Sequence, residues 1–224
     1  MRTLTVVTIV VAALIGGGYF WYKQAYPTYT YRFRLSIAAA VGGATKTASS
    51  VIEVDTVLQP GSPMFSPVRN DVHGDAVFLD LGEKGNVVAL LGCNPDGTQD
   101  CIGTLVPELF GISGIENLAK LETVRGRRDL AGRFMPTLVT FYDPNDPASA
   151  RVVRPNQFEE VFGPDVHFKG AWIEMTNEPV TRRIDKELPW WGRRGRPAAE
   201  AYLAWRTRNS GGGSIEPETR FRRG

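Results

Sequence analysis

The chain has 224 residues, 22% of them charged and 42% hydrophobic, which excludes a globally disordered polymer. A net charge of +2 excludes a strongly basic nucleic-acid binder on composition. With 24 glycines and 15 prolines, the composition favours a turn-rich chain over a helical bundle.

Residues 3–22, TLTVVTIVVAALIGGGYFWY, carry no charge. A helix of that length spans about 30 Å, one bilayer core. The competing reading is a cleavable signal peptide, with Gly16 and Gly18 at the small positions before a cut. Tyr19, Phe20, Trp21 and Tyr22, closed by Lys23, read instead as an interfacial belt with a snorkelling lysine, so residues 1–23 are assigned as an uncleaved transmembrane anchor. Counting Arg2 against Lys23, Arg32 and Arg34 places the following domain in the cytoplasm. Two features reverse that reading: Arg32 and Arg34 belong to a strand, and Cys93 and Cys101 are suited to a disulfide. The expected arrangement is a single-pass protein of a bacterial inner membrane with a periplasmic domain.

Tyr29, Tyr31, Phe33, Leu35 and Ile37 alternate with polar residues over 28–38, the period of a half-buried strand. A second run, Ser50 to Val57, completes a hairpin, for which Phe33–Val54, Leu35–Ile52, Arg32–Asp55 and Arg34–Glu53 are the expected partners. Gln59 to Gly74 reads as a loop. Asp75–Leu81 and Asn86–Leu91 form a second hairpin, its second strand apolar on both faces and therefore central. Between the cysteines, Pro95-Asp96-Gly97 is a turn that brings Cys93 and Cys101 together.

A short helix then uses Leu105, Leu109 and Phe110, and Ser113 with Glu116 makes a capping-box pattern before Ile115, Leu118 and Ala119. Arg125 to Arg128 reads as an exposed basic turn and Pro136–Tyr142 as a strand. Asn156 and Gly163 bracket a helix burying Phe158, Val161 and Phe162. Val166–Thr176 reads as a strand bulged at Gly170. Residues 24–191 thus form one extracytoplasmic α+β domain: an antiparallel, hairpin-built sheet with short helices. In 192–224 eight arginines face three glutamates, a net +5 that leaves −3 for the rest, so this segment is basic, Gly-rich and largely flexible.

The Ser49–Val54 run, the Pro136–Phe141 strand with its Asp-Pro turn, and Ile173–Thr181 with Leu188-Pro189-Trp190-Trp191 resemble uncharacterised single-anchor bacterial envelope proteins. The likeness covers about residues 28–191. It implies a membrane-anchored envelope protein and supplies no catalytic residues.

His73 and His167 lack zinc-site spacing and read as surface histidines. No nucleophile elbow, phosphate loop or dinucleotide fingerprint occurs. Asp143, Asn145 and Asp146 carry oxygens of the type calcium takes, but two prolines explain them as a turn. No metal or cofactor is assigned. Trp190, Trp191, Arg193, Arg194 and Arg196 are the candidate partner- or membrane-binding residues, since aromatics beside arginines suit a lipid interface or a protein surface. The function expected is a non-enzymatic interaction or assembly component of the envelope. The alternatives are a hydrolase of cell-wall or surface polymers using carboxylates such as Glu174 and Glu178, or a periplasmic ligand-sensing module.

Overall fold

Two glycines fix the first hairpin. Strand β1 (Thr28–Val41) and strand β2 (Ala44–Leu58) are joined by Gly42 at φ 56° and Gly43 at φ 85°, a two-residue turn of the kind that matches strand twist. The turn pairs Val41 with Ala44, and the ladder then runs Leu35↔Ser50, Phe33↔Ile52 and Arg32↔Glu53. This corrects the expected register by two residues. The faces are unchanged, because a two-residue shift preserves the side-chain period.

The computed structural model describes residues 2–61, 66–93, 101–190 and 222–223, with backbone alone at 2–13 and 222–223. Helix α1 (Arg2–Ala25) leads into β1. Strand β3 (Val68–Asp75) pairs with β2 over a stretch expected to be loop. Its core-facing positions include Asn70 and Gly74, which leaves too weak an apolar alternation to read as a strand. Strands β4 (Val77–Gly82) and β5 (Gly85–Cys93) form the second hairpin.

Helix α2 spans Ile102–Phe110 and ends at left-handed Gly111. Residues Ile115–Glu122 then form a 3-10 helix. Its three-residue repeat buries Leu118 and Leu121 and leaves Ile115 and Ala119 exposed, a correction to the expected α-helical stripe. Ser113 makes no side-chain cap there; the N-cap is Gly114. The basic turn is also corrected, since β6 (Arg127–Leu130) is an edge strand on β9.

Strands β7 (Pro136–Phe141) and β8 (Ala150–Val152) follow, then helix α3 (Phe158–Phe162), strand β9 (Val166–Met175), helix α4 (Ile184–Glu187) and strand β10 (Arg222–Arg223). In α3, Phe158 and Phe162 are buried and Val161 is exposed, and Asn156 sits within a 3-10 turn rather than at the cap. Strand β9 is bulged between Phe168 and Gly170 against β1.

The strands make two antiparallel sheets, β10-β3-β2-β1-β9-β6 and β4-β5-β7-β8. Phe33, Leu35, Ile37 and Ile52 of the large sheet pack with Leu79, Leu81, Val87 and Leu91 of the small one as the main core. The far face of the small sheet carries a second core of Val88, Leu90, Val139 and Phe141, covered by Ile184 and Leu188. Strand β5 is thus buried on both faces, as its sequence predicts.

Candidate functional site

The outer face of the large sheet gathers several chemistry-bearing side chains, and strand alternation puts them there. Thr30, Arg32 and Arg34 project from the face of β1 opposite Phe33 and Leu35. Glu53 and Asp55 do so from β2, and Asp71 and His73 from β3. Across these strands Thr30 Oγ1 donates to Asp55 Oδ1 at 2.5 Å, and Arg32 Nε donates to Glu53 Oε2 at 2.5 Å. His73 lies directly opposite Glu53 and reaches diagonally, its Nε2 3.2 Å from Asp55 Oδ2. The ligand atoms of Glu53, Asp55 and His73 all lie within 4.8 Å of one another.

The second half of this face is built around Arg34. Its guanidinium pairs with Glu178 and sits 3.4 Å from Glu174. The hydrogen bond to Glu178 raises the Arg34 guanidinium above its ordinary value, outweighing desolvation, and the Glu178 and Glu174 charges act in the same sense. Both carboxylates are about half exposed and gather on a cation. Arg127 of β6 stacks over Trp172 of β9 at 4.2 Å.

Residues 176–183 cross this face. Thr176 N–H donates to Arg32 O, Glu178 holds Arg34, and Thr181 N–H donates to Val51 O while its hydroxyl accepts from Val51 N–H. A cleft of about 200 Å³ opens beside the strap, lined by Thr30, Arg32, Leu121, Glu122, Arg125 and Asn177. That is below the usual size of a small-molecule pocket, about 300–1,000 Å³.

His73 therefore sits on a strand beside two carboxylates, not in a loop. One sequence signal bears on it, the alternation Asp71-x-His73 and Glu53-x-Asp55, which the β2–β3 ladder brings side by side. His167 Nδ1 meets only Glu159 Oε1, at 2.8 Å, among its described partners. The Asp143–Asp146 segment is a turn held by its own oxygens. Asp143 Oδ1 accepts from Asn145 N–H at 2.8 Å and Asp146 Oδ1 from Ala148 N–H at 2.8 Å.

Cys93 and Cys101 form a disulfide with Cα atoms 5.6 Å apart, and both are buried. The Pro95-Asp96-Gly97 turn between them lies outside the described residues. Trp190 is half-buried, its ring 5.9 Å from Phe141 at the rim of the second core. Trp191, Arg193, Arg194 and Arg196 lie outside the described residues, as does the rest of 192–224 apart from the two positions of β10.

Among the described residues no helix is long and apolar enough to cross a membrane. Residues 1–13, which include the first half of the uncharged run, lie outside the described side chains. Comparison with known protein families, curated proteins and solved structures found no match.

Proposed function

We propose that this chain is a membrane-tethered, non-enzymatic interaction component of a bacterial envelope, its α+β domain held in an oxidising, periplasmic compartment. The observation that carries the reading is the surface of α1. Leu14, Ile15, Tyr19, Phe20 and Trp21 are each at least 65% exposed. At about 100° per residue they point to all sides of the helix rather than along one stripe. A helix that is apolar all round is buried in something, and residues 3–13 extend the same composition toward the N-terminus.

The Cys93–Cys101 disulfide supports the compartment, because buried structural disulfides persist where thiols are not kept reduced. Interaction rather than catalysis is supported by the way the acidic residues of the large sheet are matched to cations: Glu53 to Arg32, and Glu174 and Glu178 to Arg34. In sequence, the Trp190-Trp191 pair and the basic 192–224 segment supply arginines and aromatics of the kind enriched at protein contacts.

Flotation with phospholipid vesicles tests the reading. The full chain should float with vesicles in high salt, and a chain beginning at Tyr26 should stay at the bottom of the gradient. A full chain that remains in the dense fraction overturns the tether. Crosslinking and pulldown of the native protein then tests the partner role. Recovery of membrane partners should fall when residues 192–224 are deleted, and unchanged recovery contradicts a contact made by that segment.

A further inference from the structure

We propose that Glu53, Asp55 and His73 form a binding site for one divalent cation of the zinc class on the outer face of the large sheet. Three independent strand positions converge there: Glu53 and Asp55 two apart on β2, and His73 facing Glu53 from β3. Their ligand atoms lie within 4.8 Å of one another, and all three residues are half-buried. The separation of His73 Nε2 and Asp55 Oδ2 is 3.2 Å. Two ligands at about 2.0–2.2 Å from a tetrahedral zinc ion stand about 3.4 Å apart, so this pair already spans one edge of such a polyhedron.

The backbone positions are set by the β2–β3 ladder, so closing on an ion asks for side-chain rotation alone. The surrounding residues orient the ligands as second partners do at metal sites. Thr30 Oγ1 occupies Asp55 Oδ1 and leaves Oδ2 toward His73. Arg32 Nε holds Glu53 through Oε2, one of its two carboxylate oxygens. One imidazole nitrogen with two carboxylates selects a borderline transition-metal ion over magnesium or calcium, which take oxygen ligands. Three protein ligands leave a fourth position for a donor from a partner, in keeping with the interaction role on which this inference rests.

The test uses the full, untagged chain in detergent, stripped with chelator and titrated with zinc chloride by calorimetry. One ion should bind per chain. His73→Ala and Asp55→Asn should each weaken that binding by more than about tenfold, the loss seen even for outer-shell changes at metal sites. His167→Ala, which removes the exposed histidine paired with Glu159, should leave it unchanged. Circular dichroism of each variant identifies any that fails to fold, and two ligand variants keep the test decisive if one does. Absence of stoichiometric zinc binding to the wild type overturns the site. So does binding that survives both ligand variants, binding lost with His167→Ala, or zinc displaced by equimolar calcium.

Discussion

The carboxylate of Asp75, fully buried at the end of β3, accepts the backbone N–H of Ile184 at 2.9 Å. The same Oδ2 accepts from Arg183 N–H, 108 residues along the chain. This one side chain joins strand β3 of the large sheet to the segment that covers the small one. Arg183 also reaches Ser49 O, and Ile184 and Leu188 then close the second core. Asp75→Ala leaves two amides, one buried and one part-buried, without that acceptor, at about 1–3 kcal/mol each and so about 2–6 kcal/mol together. The variant should lose about that much stability in urea unfolding and become cleavable by protease within residues 176–190. Asp75→Asn, which keeps one acceptor oxygen, should lose less.

The Gly42-Gly43 turn sets the register that aligns Arg32 with Glu53. Both glycines adopt positive φ, and nothing lies within 4 Å of a Cβ built on Gly43, so a substitution there meets conformational strain alone. Gly43→Ala should therefore cost about 1–2 kcal/mol of stability. Gly42→Asn should be close to neutral, because Asn-Gly is a favoured sequence for this turn. Chemical denaturation of the two variants gives the comparison directly.

Tyr31 is buried, and its hydroxyl donates to Gly103 O of α2 at 3.3 Å. Burial pushes its phenol well above the ordinary tyrosine value, with a hydrogen bond involving Thr56 acting in the opposite sense. A raised phenol favours the folded state while neutral. The contribution is complete below the unfolded value of about 10 and is lost as pH rises beyond it. Stability of the wild type should fall more steeply above about pH 10 than that of Tyr31→Phe. Parallel slopes for the two proteins would contradict this.

The Cys93–Cys101 bond closes a short loop, eight residues in sequence separation. Loop-closure entropy for that length is about 2.5 kcal/mol. The double variant Cys93→Ala/Cys101→Ala should be destabilised by about 2–3 kcal/mol, and the wild type in reductant should move by a similar amount. The measurement is the urea midpoint of oxidised, reduced and variant proteins.

Strand pairing by period was legible wherever the core face is continuous, as in Tyr31–Ile37 and Val87–Leu91. Register was not read from those runs, because apolar alternation is satisfied equally by shifts of two; only the turn residues decide it. Strand β3 escaped because Asn70 faces inward, bonded to Thr56 Oγ1 at 2.9 Å, and Gly74 packs against Ile52 without a side chain. Strand β6 escaped because three of its four residues are exposed and charged. The Glu53–Asp55–His73 cluster escaped with them, since its histidine lies on the unread strand. The disulfide was legible from two cysteines around a turn sequence, whereas Arg34–Glu178 depends on a strap whose path follows tertiary packing.

The proposed placement of the domain outside the cytoplasm, tethered by α1, is tested most directly by accessibility in intact cells. Asp129, on the edge strand β6, is exposed and distant in sequence from both cysteines, so Asp129→Cys supplies a single labelling position. In bacterial cells expressing the full chain, an impermeant maleimide should label Cys at that position once the outer membrane is opened and the inner membrane is intact. The labelled protein should stay in the membrane pellet after alkaline carbonate. Labelling that begins only when the inner membrane is broken, or a protein released by carbonate, would contradict the account.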